Sequence, residues 1–216
     1  MSSMMNKMIV IDGVDGSGKG VQTRRLHQSI LDSGLSCVLT REPGGSAAAE
    51  DIRELLVNGD PEKWDSMTEL LLMVAARRAH LRDTIWPTLE KGSWVLRDRF
   101  ADSSRAFQGI AGELGLDVVN EMHKLSIGDF NPDFVLILDI DEHVALARAE
   151  ARGTGEDRFE KKGNEYHRKV RNAFRDIAES NQDRYKLIDA SGSMDEVTSK
   201  IISAVNSKFS LNLSVT

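Results

Sequence analysis

The chain reads as an α/β domain built on a central parallel sheet with helices on both faces. Three observations predict it. Residues Phe134 to Ile140 are almost continuously apolar, as a strand buried on both faces must be. Short apolar runs of this kind alternate with longer stretches of helical spacing, the pattern of strands joined by crossover helices. The first run, Met8 to Ile11, is mostly β-branched, too short for a helix, and leads straight into a glycine-rich turn. With 216 residues and no repeat, low-complexity tract or linker, residues 1–216 are expected to form one domain with its own core.

The turn after that first strand is the most specific stretch. Gly13, Gly16 and Gly18 let the backbone approach a ligand closely. Val21 to Asp32 follows with helical spacing, which puts Lys19 and Gly20 at a helix N-terminus. Unpaired N–H groups and the positive end of the helix dipole favour an anion there. Gly13-Val14-Asp15-Gly16-Ser17-Gly18-Lys19 fits the G-x-x-x-x-G-K pattern of a phosphate-binding P-loop, in the strand–loop–helix order that the motif requires. One position departs from it. Ser or Thr after the lysine supplies a hydroxyl to Mg²⁺, and here Gly20 and Val21 supply none. Adenylate-kinase-like P-loops share this Gly-Lys-Gly, so ATP remains the expected nucleotide. The metal is then expected to rest on water, nucleotide phosphates and a carboxylate elsewhere.

Composition narrows the ligand. A formal net charge of −6 argues against a nucleic-acid polymer, while a local cluster of arginines still suits a small anion. Cys37 is the only cysteine, so no internal disulfide forms, and it reads as a small buried hydrophobe in a strand. No apolar run is long enough for a bilayer and no signal-peptide pattern is present, so a cytoplasmic protein without a membrane partner is expected.

The remaining elements follow in order. Ser36 to Thr40 is the second strand, and Arg41-Glu42-Pro43-Gly44-Gly45 is a loop at its C-terminal end, the edge where open α/β sheets bind ligands. Ala47 to Val57 reads as a helix carrying Arg53. Ser66 to Glu69 suits a cap for a long helix from about Met67 to Lys91, with Pro87 toward its end. Leu70 to Val74 make that helix apolar on nearly every side, so its second face is expected to be buried, either centrally or by another subunit. Arg77 and Arg78 interrupt it, and arginine in such a place is usually paired or bound to an anion. Trp94 to Leu96 is a third strand, leading to Asp98, where phosphoryl-transfer enzymes place a Mg²⁺-associated carboxylate, and to Arg99. Taken alone, that pair also reads as a surface ion pair. Ala106 to Gly109 reads as helical and Gly109 to Gly115 as a loop. Arg148, Arg152 and Arg158 lie among glycines and lysines up to Gly163. That stretch reads either as a solvated helix end or as a mobile lid over about 148–163 that brings guanidinium groups onto phosphates. Tyr166 to Gln182 is an amphipathic helix, Tyr185 to Ile188 the last strand, and a final helix starts near Met194.

The stretches Asp12 to Lys19, Thr40 to Gly45, Ala75-Ala76-Arg77, Asp98-Arg99-Phe100 and Ser103 to Gly109, in this order and spacing, resemble the thymidylate kinase family over nearly the whole chain. The resemblance implies a P-loop nucleotide kinase fold with a short arginine-rich lid, and transfer of the ATP γ-phosphate to dTMP with Mg²⁺. It also implies a homodimer through the helix around 67–77. Residue by residue, it implies that Lys19 and the loop Gly13 to Gly20 hold the ATP phosphates, and that Asp15 sits by the acceptor sugar. Arg53 and Arg99 would grip the acceptor phosphate, with Glu42 and Pro43 beside them. Arg77 and Gln108, with Ser103 or Ser104, would read the pyrimidine, and Phe107 would pack on the deoxyribose. Arg148, Arg152 and Arg158 fall in the lid, Ala190 and Ser191 in the adenine loop, and Asp98 would reach the metal through water. Met73 stands where the family usually stacks a Phe on the thymine ring. Gly16 stands where some relatives carry Arg, as in those that keep catalytic arginines in the lid.

The chemistry needs no strong base, because the attacking phosphate oxygen is largely ionised at pH 7. It needs fixed positive charge that brings two anions in line. Met73 and Gly20 leave open a kinase for another nucleoside monophosphate. The missing hydroxyl leaves open a catalytically silent nucleotide-binding module.

Overall fold

Every residue of β1 (Met8–Gly13) is buried, and the strand sits in the middle of the sheet. The computed structural model describes residues 7–152 and 158–215. β1 pairs in parallel with β3 (Trp94–Asp98) on one side and β4 (Phe134–Asp139) on the other. β2 (Cys37–Arg41) lies outside β3 and β5 (Tyr185–Asp189) outside β4, giving the order β2-β3-β1-β4-β5. The apolar runs end up here because central strands are covered on both faces. Ile9, Val10, Ile11, Val135, Leu136 and Ile137 have no exposed surface, each contributing about 1.5–3 kcal/mol.

The register decides what meets at the sheet's C-terminal edge. Asp98 lies opposite both Ile11 and Arg41. The chain therefore leaves β1, β2 and β3 at one level, delivering the glycine loop, Glu42 and Arg99 to the same crevice.

α1 (Lys19–Asp32) buries Leu26 and Ile30 and packs beside α9 (Met194–Phe209), which opens with Ser193 and Glu196 in a reciprocal cap. α2 (Ala47–Val57) leads to α3 (Ser66–His80), where the cap is Asp65, whose carboxylate accepts from Thr68 N at 2.7 Å. The single helix expected over 67–91 is interrupted. After His80 the backbone widens into a π turn (Leu81–Ile85) before the short α4 (Trp86–Glu90). Pro87 has no N–H to give and its ring crowds the preceding turn, which the wider turn accommodates. α3 buries Leu70 and Val74 against Val119 of α6 (Leu116–Ile127), but Leu71 remains 48% and Met67 39% exposed, so the chain itself leaves its second face uncovered.

The helical stretch after β3 is longer than expected: α5 (Ala101–Ser104) runs into a π turn over Arg105–Ala111. α7 (Glu142–Arg152) and α8 (Asn164–Ser180) follow β4. Cys37 is buried, and burial pushes its thiol up to about 12, an inert hydrophobe. Among the described residues no helix is long and apolar enough to cross a membrane.

Candidate active site

The glycine loop is shaped by contacts that exclude side chains. A Cβ on Gly16, whose φ is +80°, would lie 1.8 Å from the Ala145 carbonyl oxygen on α7. No arginine fits there. Lys19 is buried at the start of α1, donates to the Val14 carbonyl at 2.7 Å and lies 3.9 Å from Asp15 Oδ1. Burial, seconded by the nearby Arg99, pulls its pKa down to about 8 against the carboxylates of Asp15, Asp98 and Asp12. The loop's Ser17 hydroxyl is buried without a hydrogen-bond partner among the described residues, a polar group left for a ligand to satisfy.

Arg99 organises the other side. Its φ of 68° is unusual for a residue with a Cβ and costs of the order of 1–3 kcal/mol, which its contacts offset. Nη2 donates to Asp15 Oδ1 at 2.6 Å, while Nη1 donates to Ser103 Oγ at 2.8 Å and to the Gly13 carbonyl at 3.1 Å. Asp12, fully buried below, receives Ser103 Oγ at 2.8 Å and Arg99 Nη1 at 3.3 Å. Burial pushes the Asp12 carboxyl up to about 6 despite Arg99 and Ser103. For Asp15 the balance reverses: burial raises it, but Arg99 and Lys19 together hold it well below the usual carboxylate range. Burial opposes the charge of Arg99, and the carboxylates of Asp15, Asp12 and Asp98 more than restore it.

Asp98 closes β3 beside the start of α1. Its Oδ1 is buried without a partner among the described residues, and its Oδ2 would lie 3.8 Å from a Cβ on Gly20. A divalent cation fits this donor set in one way. Among the described residues there is no cluster of three metal-ligating side chains. A single orphaned carboxylate next to a phosphate loop suits a hard cation held mainly by phosphates and water.

Between these groups lies a cavity of about 230 Å³. Asp15, Gly16, Gly18, Lys19, Gly20, Asp98 and Arg99 form its polar wall. Glu42, Pro43 and Arg53 border it, and Met73 and Phe107 form its apolar side. Arg53 donates to the Pro43 carbonyl at 2.7 Å, and the Arg99 guanidinium stacks 5.1 Å from the Phe107 ring centre. Sequence reasoning missed three wall residues: Arg41, Val57 and Phe159. Phe159 meets Phe107 edge-on at 5.8 Å, with Arg158 and Lys162 on its ring. Its signal was hidden in the charged stretch that reads as a lid.

Other expected site residues lie elsewhere. Arg77 and Gln108 are buried beneath the cavity and are not on its wall. Arg77 is ion-paired to Glu42 and donates to Ser104 Oγ at 2.9 Å, and Gln108 donates to Glu69 at 3.2 Å. Arg158 does not reach the phosphate loop. It is fully buried, bonded to Glu69 Oε1 at 2.6 Å and to the carbonyls of Asp60 and Pro61 at 3.0 Å. A buried guanidinium needs acceptors, and the turn after α2 supplies them. Arg148 is exposed on α7. The side chain of Arg152, and with it the centre of the expected lid, lies outside the described residues. Ala190 and Ser191 follow β5; Ala190 is buried, and Ser191 turns back to bond Asp189 at 2.6 Å.

A parallel sheet of this order, with a glycine loop and lysine on its central strand and an aspartate–arginine pair on the neighbouring one, defines a P-loop nucleotide kinase. A family model described as thymidylate kinase matches residues 11–201. A thymidylate kinase of Dinoroseobacter shibae is 47% identical over 197 residues, covering 91% of this chain and 94% of its own. One of Ruegeria pomeroyi is 43% identical over 198 residues, covering 91% and 93%. The crystal structure of thymidylate kinase from Ehrlichia chaffeensis superposes with a TM-score of 0.75 at 30% identity, covering 93% of this chain and 98% of that one. The chain belongs to the thymidylate kinase family.

Proposed function

We propose that this protein transfers the γ-phosphoryl group of ATP to dTMP, giving dTDP and ADP. The observation that carries the reading is the joining of two charge systems on the polar wall of one cavity. Lys19 and the glycine loop meet Arg99, held by Asp12, Asp15 and Ser103, on the polar wall, and Met73 and Phe107 form the apolar side. The names of the relatives supply the substrate.

Lys19 exchanges its bond to the Val14 carbonyl for a phosphate oxygen, and Ser17 Oγ finds the acceptor it lacks. Arg99 and Arg53 take the acceptor phosphate, and Asp15 keeps Arg99 aimed. The low pKa of Asp15 keeps it ionised, so it accepts from Arg99 throughout. Asp98 would hold Mg²⁺ through water beside the nucleotide phosphates, and the cation would supply neutralisation of the charge that builds on the transferred group. The apolar side excludes water from the two anions. Met67 and Leu71, exposed on α3, support pairing of that face in a homodimer.

The test is ADP release with Mg²⁺-ATP and dTMP, dUMP, UMP, CMP, AMP and GMP side by side. Turnover confined to dTMP, with weak dUMP, is the expected result. Preference for another monophosphate overturns the substrate, and no turnover with any of them overturns the enzyme.

A further inference from the structure

The glycine loop leans on one stretch of chain outside it. A Cβ on Gly13, whose φ is +134°, would lie 2.5 Å from the Leu138 carbonyl oxygen, and one on Gly16 would overlap the Ala145 carbonyl oxygen. Leu138 is the β4 partner of Gly13, and Ala145 is buried on α7. Both contacts therefore come from the segment that carries the chain out of β4 and into α7, one from each end. The loop's backbone must follow that segment, because close packing leaves no slack between them.

The segment needs holding. Between its two contacts it carries Asp139, Asp141 and Glu142, and like charges this close repel. Asp141 caps α7, accepting from His143 N at 3.0 Å. All three carboxylates face one side chain of α8, Arg171. Its Nε donates to Asp139 Oδ1 at 2.8 Å and its Nη2 to Asp139 Oδ2 at 3.4 Å, a fork on one carboxylate. Its Nη1 donates to Glu142 Oε2 at 2.8 Å and lies 3.5 Å from Asp141 Oδ2. One planar group thus ties the last residue of β4 to the first turn of α7. Arg175 stands farther off, 3.8 Å from Asp139, and is half exposed. The Asp139 carbonyl also accepts from Ala190 N at 2.8 Å, so the same junction meets the loop after β5.

Resting on the reading of ATP as donor, we propose that Arg171 is a positioning residue for the ATP phosphates: it clamps the junction of β4 and α7 against which Gly13 and Gly16 rest, and so fixes where the loop's N–H groups point. Arg171 itself never touches the nucleotide. Without it the three carboxylates move apart, α7 draws away from Gly16, and the loop loses its support. The acceptor's wall of Arg53, Met73 and Phe107 stands on α2, α3 and the turn after α5, where Arg171 makes no hydrogen bond among the described residues.

The variant Arg171→Met keeps the length of the side chain and loses the clamp, and the partly solvated carboxylates turn to water, so the fold survives. Calorimetry with Mg²⁺-ATP and with dTMP separately, thermal melts and steady-state KM values test the proposal. Arg171→Met is expected to weaken Mg²⁺-ATP binding about tenfold, the worth of one charge-assisted bond to a phosphate, and to raise the KM for ATP alike. The dTMP affinity should stay within about threefold of the parent and the midpoint within a few degrees. Arg171→Lys keeps the charge but cannot span Asp139 and Glu142, so ATP affinity should stay low. Glu142→Ala cuts only the α7 half of the clamp and should lose as much, with the double variant no worse than either single one. Unchanged ATP affinity in Arg171→Met, while the parent binds ATP, overturns this inference alone. Full recovery by Arg171→Lys, or additive losses in the double variant, would also overturn it, since charge or separate effects would then suffice. A joint fall of both affinities and the midpoint reduces Arg171 to a structural ion and overturns it too. Failure of the parent to bind ATP removes the functional reading and this inference with it.

Discussion

Gly20→Ser restores the hydroxyl that the P-loop lacks, and the structure lets its effect be worked out. Gly20 is the second residue of α1, and a Cβ there would meet only Arg24 Nη1 at 3.6 Å and Asp98 Oδ2 at 3.8 Å, ordinary contact distances. No backbone has to move. Replacing glycine within a helix gains about 0.5 kcal/mol. Spread over an unfolding entropy of about 2.1 cal/mol/K per residue, that raises the melting midpoint by ~1 °C. The larger effect is on the metal. Immobilising a water ligand costs up to about 2 kcal/mol, and a hydroxyl already fixed to the helix saves most of it, so cation affinity rises roughly tenfold. The assay is Mn²⁺ binding to the ADP complex by electron paramagnetic resonance, with Gly20→Ala as the control that shares the helix gain but brings no ligand. If the Ser and Ala variants bind Mn²⁺ equally, the hydroxyl does not reach the cation and the placement of the metal beside Asp98 is wrong. A midpoint lowered by several degrees would refute the packing argument instead.

Three further outcomes are expected. Arg99→Ala should cut turnover by about 10³ or more while ATP binding stays within a few-fold of the parent, and activity within about tenfold of the parent would remove Arg99 from the chemistry. Arg158→Met should lower stability by about 3–5 kcal/mol, or about 7–11 °C in midpoint, because Glu69 and the carbonyls after α2 lose a buried partner; a large loss of turnover at an unchanged midpoint would return Arg158 to the phosphates. His80 and His123 are both held near a pKa of about 4, chiefly by burial. Depressed folded values stabilise the protein above the unfolded pKa of about 6.5, and that contribution, roughly 3 kcal/mol each, is lost as the pH falls toward 4. Asp12, raised to about 6, has the opposite sign: its contribution is present below about pH 4 and lost as the pH rises through 6, so it offsets about one histidine. Denaturant midpoints across pH 4–7 read the balance, and a histidine C2-proton resonance titrating above pH 6 for either ring would contradict it.

Much of this protein is determined by local sequence. A run such as Phe134 to Asp139 has no polar face to show water, so it must be a central strand, and glycines followed by lysine at a helix start must face an anion. The parallel sheet, the crevice at its C-terminal edge and the loop lysine follow from those patterns, because each rests on the chemistry of neighbouring residues in the chain, whereas the strand order β2-β3-β1-β4-β5 does not. Partnership between distant residues does not. Arg99 and Asp12 are 87 positions apart, and only the parallel register of β1 with β3 brings them within 3.3 Å. Arg158 has the sequence context of a loop cation, yet the carbonyls of 60 and 61 and the carboxylate of Glu69 take its charge, while its neighbour Phe159 turns onto the cavity wall. Arg97 reads as one more strand residue until Glu42 is seen to carry two guanidinium groups. An arginine's role depends on which acceptor it meets, and that is decided by the packing of strands and helices far apart in the chain, so the tertiary structure alone assigns it.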